Sequence, residues 1–278
     1  MGIGLLEQTD IYKAYKGSPY LTMKHTTYFE VYEKLLAPYR GKNITFLEIG
    51  ILNGGSLFMW REFLGPEARI IGMDLNPAAK KWEKDGFEIF IGSQSDEEFW
   101  AQTLKEIGMV DVVLDDGGHT YEQQIVTTEC LLDHVKDGGM LIVEDTHTSY
   151  MKGFGPRKFS FIKYVNKHID RINLRFSKFR SDASDTRVWS VQVFESIVVF
   201  HINRAASKLV SKPTNNGGQG EKAVDFRYFD NTVYQKHSGL GKYFKFVNFL
   251  PDSKGIKKTF WKIIIKFKGA NNTKRFFK

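Results

Sequence analysis

Hydrophobic positions along the chain fall into two alternating rhythms. Five short apolar runs, ITFLEIG (44–50), ARIIGMD (68–74), FEIFIG (87–92), VDVVLDD (110–116) and GGMLIVED (138–145), have the length and continuity of buried strands. Between them lie helix-like patterns, LFMWREFLG, a stretch begun by Ser95 or Asp96 as a cap, and Tyr121 to Val135. Strands that alternate with crossover helices must run parallel, so the order predicts an α/β doubly wound sheet. After Tyr150 the rhythm changes. A basic helical segment (157–169) and a polar loop (181–187) precede VWSVQVF and SIVVFHI, which are separated by little more than Glu195. So short a link makes those two runs an antiparallel hairpin closing the parallel sheet. Ahead of the first strand, Tyr28, Val31, Tyr32, Leu35 and Leu36 recur at helical spacing. They predict a helical cover over residues 1–43, before a core of residues 44–203.

Two of the apolar runs end in paired acids, Asp115 and Asp116 on one, Glu144 and Asp145 on the other, with His119 three residues past Asp116. In a parallel sheet, the carboxyl ends of neighbouring strands meet in the crevice where ligands bind. Such a concentration of carboxylates in a partly desolvated cleft requires a compensating cation or protons. An all-oxygen donor set favours magnesium, manganese or calcium over zinc.

The first strand runs into Gly50, Gly54 and Gly55 and then a helix, an approach route for a nucleotide-like ligand to backbone N–H groups. The pattern is E-x-G-x-x-x-G-G-S, not the G-x-G-x-x-G of dinucleotide folds, which disfavours an NAD-dependent dehydrogenase. Asp74 ends the second strand at the position from which a carboxylate binds ribose hydroxyls, with a turn or cap aspartate before Asn76-Pro77 as the bland reading. Ser93 and Gln94 end the third strand and are candidates to contact a base. Asp115 has two readings, cofactor contact or cap of the following helix. Lys16, Gly17, His25, Thr27 and Tyr28 are possible ligand contacts, although a packed N-terminal helix explains them as well. His147 reads as a loop residue near the site, and His134 and His168 have no partner visible in the sequence.

The combination LEIGILNGGS, GMD, LDDGGH and VEDTHTSY resembles the metal-dependent O-methyltransferases of macrolide sugars, those of the mycinamicin and tylosin pathways, and the related group named after cephalosporin hydroxylase. The resemblance runs from Lys16 to Asn203 and is sharpest in D-D-x-x-H and E-D-x-x-T-S-Y. It implies a class I, Rossmann-like methyltransferase fold that uses S-adenosylmethionine and Mg2+. Asp116, Glu144 and Asp145 would hold the metal, and His119 would be the general base. Glu48, Gly50 and Ser56, with Gly54 in the same loop, would lie near the methionine part of the cofactor, Asp74 at its ribose, and Ser93 and Gln94 at its adenine. The chain departs from the pattern at Ser93, where relatives often carry Asp in a G-D-Q run. The implied acceptor is a sugar hydroxyl of a glycan, nucleotide sugar or glycosylated natural product. A catechol-like acceptor is the nearest alternative, and a non-catalytic membrane or nucleic-acid binding module with a methyltransferase-like core is the alternative from another class.

Charge divides the chain a second time. The formal net charge of the 278 residues is +8, yet residues 1–203 carry a net of −5 and residues 204–278 a net of +13. The basic extension begins with the linker-like SKPTNNGGQG (211–220) and continues into IKKTFWKIIIKFK. There Ile256, Phe260, Ile263, Ile264 and Phe267 share one helical face, opposite Lys258, Lys262 and Lys266. That pattern suits an anionic membrane surface, a partner, or a helix packed on its own domain. No nucleic-acid motif accompanies it, and the tail has no counterpart in the resembled family. The single cysteine, Cys130, excludes an internal disulfide and reads as core rather than nucleophile. With no signal-like start and no apolar run of roughly eighteen residues, the expected setting is cytoplasmic, with peripheral membrane attachment through the tail left open. The resemblance also leaves a homo-oligomer open, though no stretch of sequence encodes an interface.

Overall fold

In the computed structural model, residues 6–179, 185–220 and 274–277 are described. The chain divides into two compact units, Met1–Pro213 and Thr214–Lys278. The IKKTFWKIIIKFK segment and part of the 181–187 loop lie outside the described residues.

The first unit is built on a seven-stranded sheet: β1 (Thr45–Ile49), β2 (Arg69–Asp74), β3 (Glu88–Ile91), β4 (Val110–Asp115), β5 (Val135–Val143), β6 (Ser190–Phe194) and β7 (Ile197–His201). Their spatial order is β3-β2-β1-β4-β5-β7-β6. The strands β1 to β5 pair in parallel, whereas β7 runs antiparallel to both β5 and β6, as the short Glu195 link requires. β5 begins earlier than its apolar run, at Val135, and its pairing with β4 shifts register between Val110 and Val112.

Among the described residues are seven α-helices, besides several 3-10 turns: α1 (Asp10–Gly17), α2 (Tyr28–Leu36), α3 (Gly55–Leu64), α4 (Glu97–Ile107), α5 (Tyr121–Leu131), α6 (Phe161–Leu174) and α7 (Arg204–Lys208). α1 was not expected from the apolar pattern. Thr9 caps it, and Ile11 and Ala14 are its buried residues. The candidate cap before α4 resolves to Asp96, whose carboxylate accepts from Glu98 and Phe99 N–H. Thr120 and Gln123 form a reciprocal capping box at α5, so that helix does not use Asp115 as its cap.

Both faces of the sheet are covered, which explains why the strands read as continuous apolar runs. Phe46, Leu114, Ile142 and Val199 pack with Tyr32 and Leu36 of α2 and Trp60 and Leu64 of α3. Their chain neighbours Leu47, Val113, Leu141 and Val198 point the other way, toward Trp100 of α4, Leu131 of α5 and Phe161 and Val165 of α6. No helix among the described residues is long and apolar enough to cross a membrane.

Candidate active site

Register places the acids. Asp115 pairs with Ile49 of β1 on one side and Val143 of β5 on the other, so the residues that follow β4 and β5 emerge together at the carboxyl edge. Asp116 N–H donates to the Ile49 carbonyl and Glu144 N–H to the Asp115 carbonyl, which extends the ladder one residue past each strand. The sheet order reverses direction here, at β1 and β4, and a cleft of about 600 Å³ opens over the strand ends.

Asp116, His119, Glu144 and Asp145 all border this cleft, together with Gly50, Asp74, Ser93 and Gln94. Asp116, His119 and Asp145 each offer a donor atom within 4.8 Å of the others, a spacing suited to one cation. His119 Nε2 lies 3.2 Å from Asp145 Oδ2. Two tyrosines of α2, one turn apart, reach down onto the acids: Tyr28 OH donates to Asp145 Oδ1 and Tyr32 OH to Glu144 Oε1. Burial, with a contribution from the neighbouring carboxylates, pushes both phenols well above their usual range, so they remain donors.

Lys24 was not expected at the site. Its side chain is 1% exposed, and its ammonium donates to Asp116 Oδ2 at 2.6 Å and to both oxygens of Glu144 at 3.1 and 3.3 Å. Burial alone would lower its pKa, but Asp116 and Glu144 outweigh that penalty and raise it, so it is a cation. Burial and the adjacent Asp116 push the Glu144 carboxyl well up, against the pull of Lys24. The acid cluster thus already holds one positive charge in its centre, and a set of hard oxygen donors around that charge fits a magnesium-like ion. The sequence signal for Lys24 is slight, a lone lysine four residues before the first tyrosine of α2.

The remaining expected residues separate into two groups. Asp74 lines the cleft and also holds the glycine loop, since its Oδ2 accepts from Ile51 and Leu52 N–H, both at 3.0 Å. Gln94 lines the cleft but is bound into the wall: its amide donates to Asp115 Oδ1 at 3.0 Å, and its carbonyl accepts from Gly118 N–H at 2.7 Å. Gly50 adopts φ +83°, and a Cβ there would lie 2.3 Å from the Asp116 carbonyl oxygen, so the loop and the acid-bearing turn touch backbone to backbone.

Glu48, Gly54 and Asp115 are not among the cleft-lining residues, and Ser56 lines a small adjoining pocket together with Gly50 and Asp116. Glu48 shares a strand face with Phe46 and turns toward α3, where its carboxylate accepts from Ser56 Oγ at 2.8 Å and Trp60 Nε1 at 3.0 Å. Burial raises its pKa to about 7 against the opposing pull of Lys24 and those two donors. Gly54 sits against the Trp82 ring. Asp115 is buried behind the cleft; its Oδ2 has no hydrogen-bond partner, and desolvation pushes its carboxyl to about 7.

Other singled-out residues fall on either side. His25 and His147 stand at the mouth, 3.8 and 3.9 Å from Asp145 Oδ1. His168 is buried against Tyr164 and Phe200, away from the acids. Burial raises the Cys130 thiol to about 11, in keeping with a packing role.

Comparison with known proteins adds three findings. Residues 47–146 match the model of a methyltransferase domain family. The chain is 35% identical over 132 residues to 8-demethyl-8-(2-methoxy-alpha-L-rhamnosyl)-tetracenomycin-C 3'-O-methyltransferase of Streptomyces olivaceus, a match covering 45% of this chain and 33% of that protein. It is 34% identical over 133 residues to mycinamicin VI 2''-O-methyltransferase of Micromonospora griseorubida, covering 45% and 32%. The chain therefore spans about a third of the length of these curated relatives. Among solved structures, the mycinamycin-pathway methyltransferase MycE, in complex with Mg, SAH and mycinamycin VI, superposes with a TM-score of 0.63 at 24% identity, covering 74% of this chain and 55% of that one. The fold is the Rossmann-like methyltransferase fold, a mostly parallel sheet ended by one antiparallel hairpin.

Proposed function

We propose that this chain is a magnesium- and S-adenosylmethionine-dependent O-methyltransferase acting on a sugar hydroxyl of a glycan, nucleotide sugar or glycosylated natural product. The observation that carries the proposal is the convergence of Asp116, Glu144, Asp145 and His119 beside the Gly50 loop, at the sheet's switch point. The similarity to sugar O-methyltransferases supports the choice of acceptor.

In this reading the metal is held by Asp116, Glu144 and Asp145. The cofactor is held along Gly50, Asp74, Ser93 and Gln94, with Glu48, Gly54, Ser56 and Asp115 supporting those contacts from behind. When bound, the metal supplies Lewis acidity that makes an aliphatic hydroxyl easier to deprotonate, and the cofactor supplies the methyl group. His119 accepts the hydroxyl proton, and Asp145 beside it stabilises the imidazolium that results. Tyr28 fixes the Asp145 carboxylate and Tyr32 that of Glu144, so neither acid is free to rotate away. The glycine loop brings backbone close enough to position the methyl donor, and positioning accounts for much of the remaining acceleration.

The decisive experiment is calorimetric binding of S-adenosylhomocysteine and magnesium to wild type and Asp116→Asn, followed by methyl transfer to a panel of rhamnosides and other glycosides. Cofactor-product binding with a magnesium heat that disappears in the variant, and methylation of a glycoside, are expected. Failure of wild type to bind the cofactor product would refute the reading.

The basic region 204–278 would add attachment to an anionic membrane surface, and self-association is a further part of this reading. Liposome pelleting before and after removal of residues 254–278, and light scattering of the full chain, test the two.

A further inference from the structure

The segment between α1 and α2, residues 18–27, contains no helix or strand and is buried in an inverted sense. Leu21 and Met23 are 67% and 73% exposed, whereas the charged Lys24 between Met23 and His25 is almost fully enclosed. A short strap that turns its apolar side chains to solvent and its ammonium inward is not held down by hydrophobic burial. Its first part is anchored by Ser18 Oγ donating to the Gly55 carbonyl at 2.7 Å and by the Tyr20 ring against Trp82 and Phe58. Beyond Tyr20, the strap's charged side-chain anchor is Lys24 on Asp116 and Glu144, flanked by the His25 carbonyl, which accepts from Tyr28 N–H at 3.0 Å, and by the His25 ring, 3.8 Å from Asp145 Oδ1.

That contact uses the oxygens a metal would need. Glu144 Oε1 already accepts from Tyr32 and Lys24, its Oε2 accepts from Lys24, and Asp116 Oδ2 accepts from Lys24 at the shortest of the three distances. An ammonium and a divalent ion on the same oxygens would repel each other at a few ångströms, with little water between them to screen the repulsion. The two cations therefore exclude one another.

We propose that Lys24 is a tethered cation competing with the divalent metal for the place between Asp116 and Glu144, so that metal loading expels the ammonium and releases residues 21–25 from the cleft wall. The proposal rests on the reading of these acids as metal ligands. Lys24 stabilises the metal-free acid cluster, lowers apparent metal affinity, and couples loading to cleft opening, because Met23, Lys24 and His25 all line the cleft. It is a residue that sets metal affinity and access, not one that touches reacting atoms.

The test is Mn2+ binding to the full chain, followed by calorimetry, in wild type, Lys24→Met, Lys24→Arg and Asp116→Asn, with hydrogen exchange of residues 18–27 measured with and without Mn2+. Lys24→Met is expected to bind Mn2+ at least tenfold more tightly than wild type, and Lys24→Arg, which keeps the competing charge, to stay near wild type. Mn2+ is expected to speed amide exchange at residues 21–25 in wild type, a readout that needs no variant to fold. Mn2+ binding in wild type with Lys24→Met equal or weaker, or exchange that is unchanged or slowed by Mn2+, would overturn the role of Lys24 while leaving the metal site intact. Absence of Mn2+ binding in both wild type and Lys24→Met would overturn the metal reading and this proposal together.

Discussion

His119 and Asp145 face each other across 3.2 Å, and both hold left-handed backbone conformations, φ +55° and +54°. The Thr148 hydroxyl sits between their carbonyl oxygens, 3.1 Å from that of His119 and 2.9 Å from that of Asp145. A non-glycine residue in that region costs about 1–3 kcal/mol, so two of them side by side persist only because surrounding contacts fix them. The pair is built as one unit.

Thr148→Val keeps the shape of this bracket and removes its hydroxyl. Loss of one buried donor is expected to reduce stability by about 1–2 kcal/mol, read by urea unfolding. Methyl transfer should fall more steeply than cofactor binding, because the proposed base and the proposed metal-holding acid lose their common tether. Equal losses in the two assays would show that Thr148 acts on the fold alone.

His119→Asn is the cleanest removal of the proposed base, since asparagine tolerates the left-handed backbone that His119 adopts. A rate decrease of about 10²–10⁴-fold is expected in single-turnover methyl transfer, with S-adenosylhomocysteine affinity unchanged. A variant as fast as wild type would remove His119 from the chemistry.

Gly50→Ala adds a Cβ that would stand 2.3 Å from the Asp116 carbonyl oxygen, on a residue at φ +83°. Because the contact is with backbone, relief requires the loop to move away from the acid-bearing turn. Destabilisation of at least about 2 kcal/mol and loss of cofactor-product binding are expected, by thermal melting with and without S-adenosylhomocysteine. Unchanged ligand stabilisation would show that this loop does not cradle the cofactor.

His168 gives a pH dependence separate from the site. Burial, helped by Arg171, lowers its pKa below 6.5, and its Nε2 has no hydrogen-bond partner. The folded state therefore favours the neutral ring. The stability associated with His168 is present above the unfolded pKa near 6.5 and is lost as pH falls through the lower folded value. His168→Phe, packed between Tyr164 and Phe200, should lose less stability than wild type between pH 7.5 and 5.5 in parallel urea titrations. An identical pH response would mean that another group carries the effect.

Much of the site was legible because its signals are local in the chain. Acids at the ends of two apolar runs had to reach the same edge once the runs were parallel neighbours, and register then set Asp116 beside Glu144 and Asp145. Glu48 shows where local reading stops. The resemblance implies a place near the methionine part of the cofactor, and strand parity sets its side chain on the Phe46 face, where Ser56 and Trp60 of α3 bind it. Those two residues lie four apart on one helix face, a signal present in the sequence but without meaning until α3 was placed over β1.

Local signals in the chain, namely periodicity, turn length and paired charges, were enough for the five parallel strands, the antiparallel ending and the acid pairs, whereas α1 and the Thr120–Gln123 cap became visible only in the folded chain. Which charges meet was set by long-range packing. Lys24 reaches Asp116 across 92 residues of chain and Glu144 across 120, and no pattern near Met23 or His25 records that encounter. The reason is electrostatic: a buried carboxylate cluster takes the nearest cation that folding brings to it, and that partner is set by how the strap crosses the cleft, not by its own sequence.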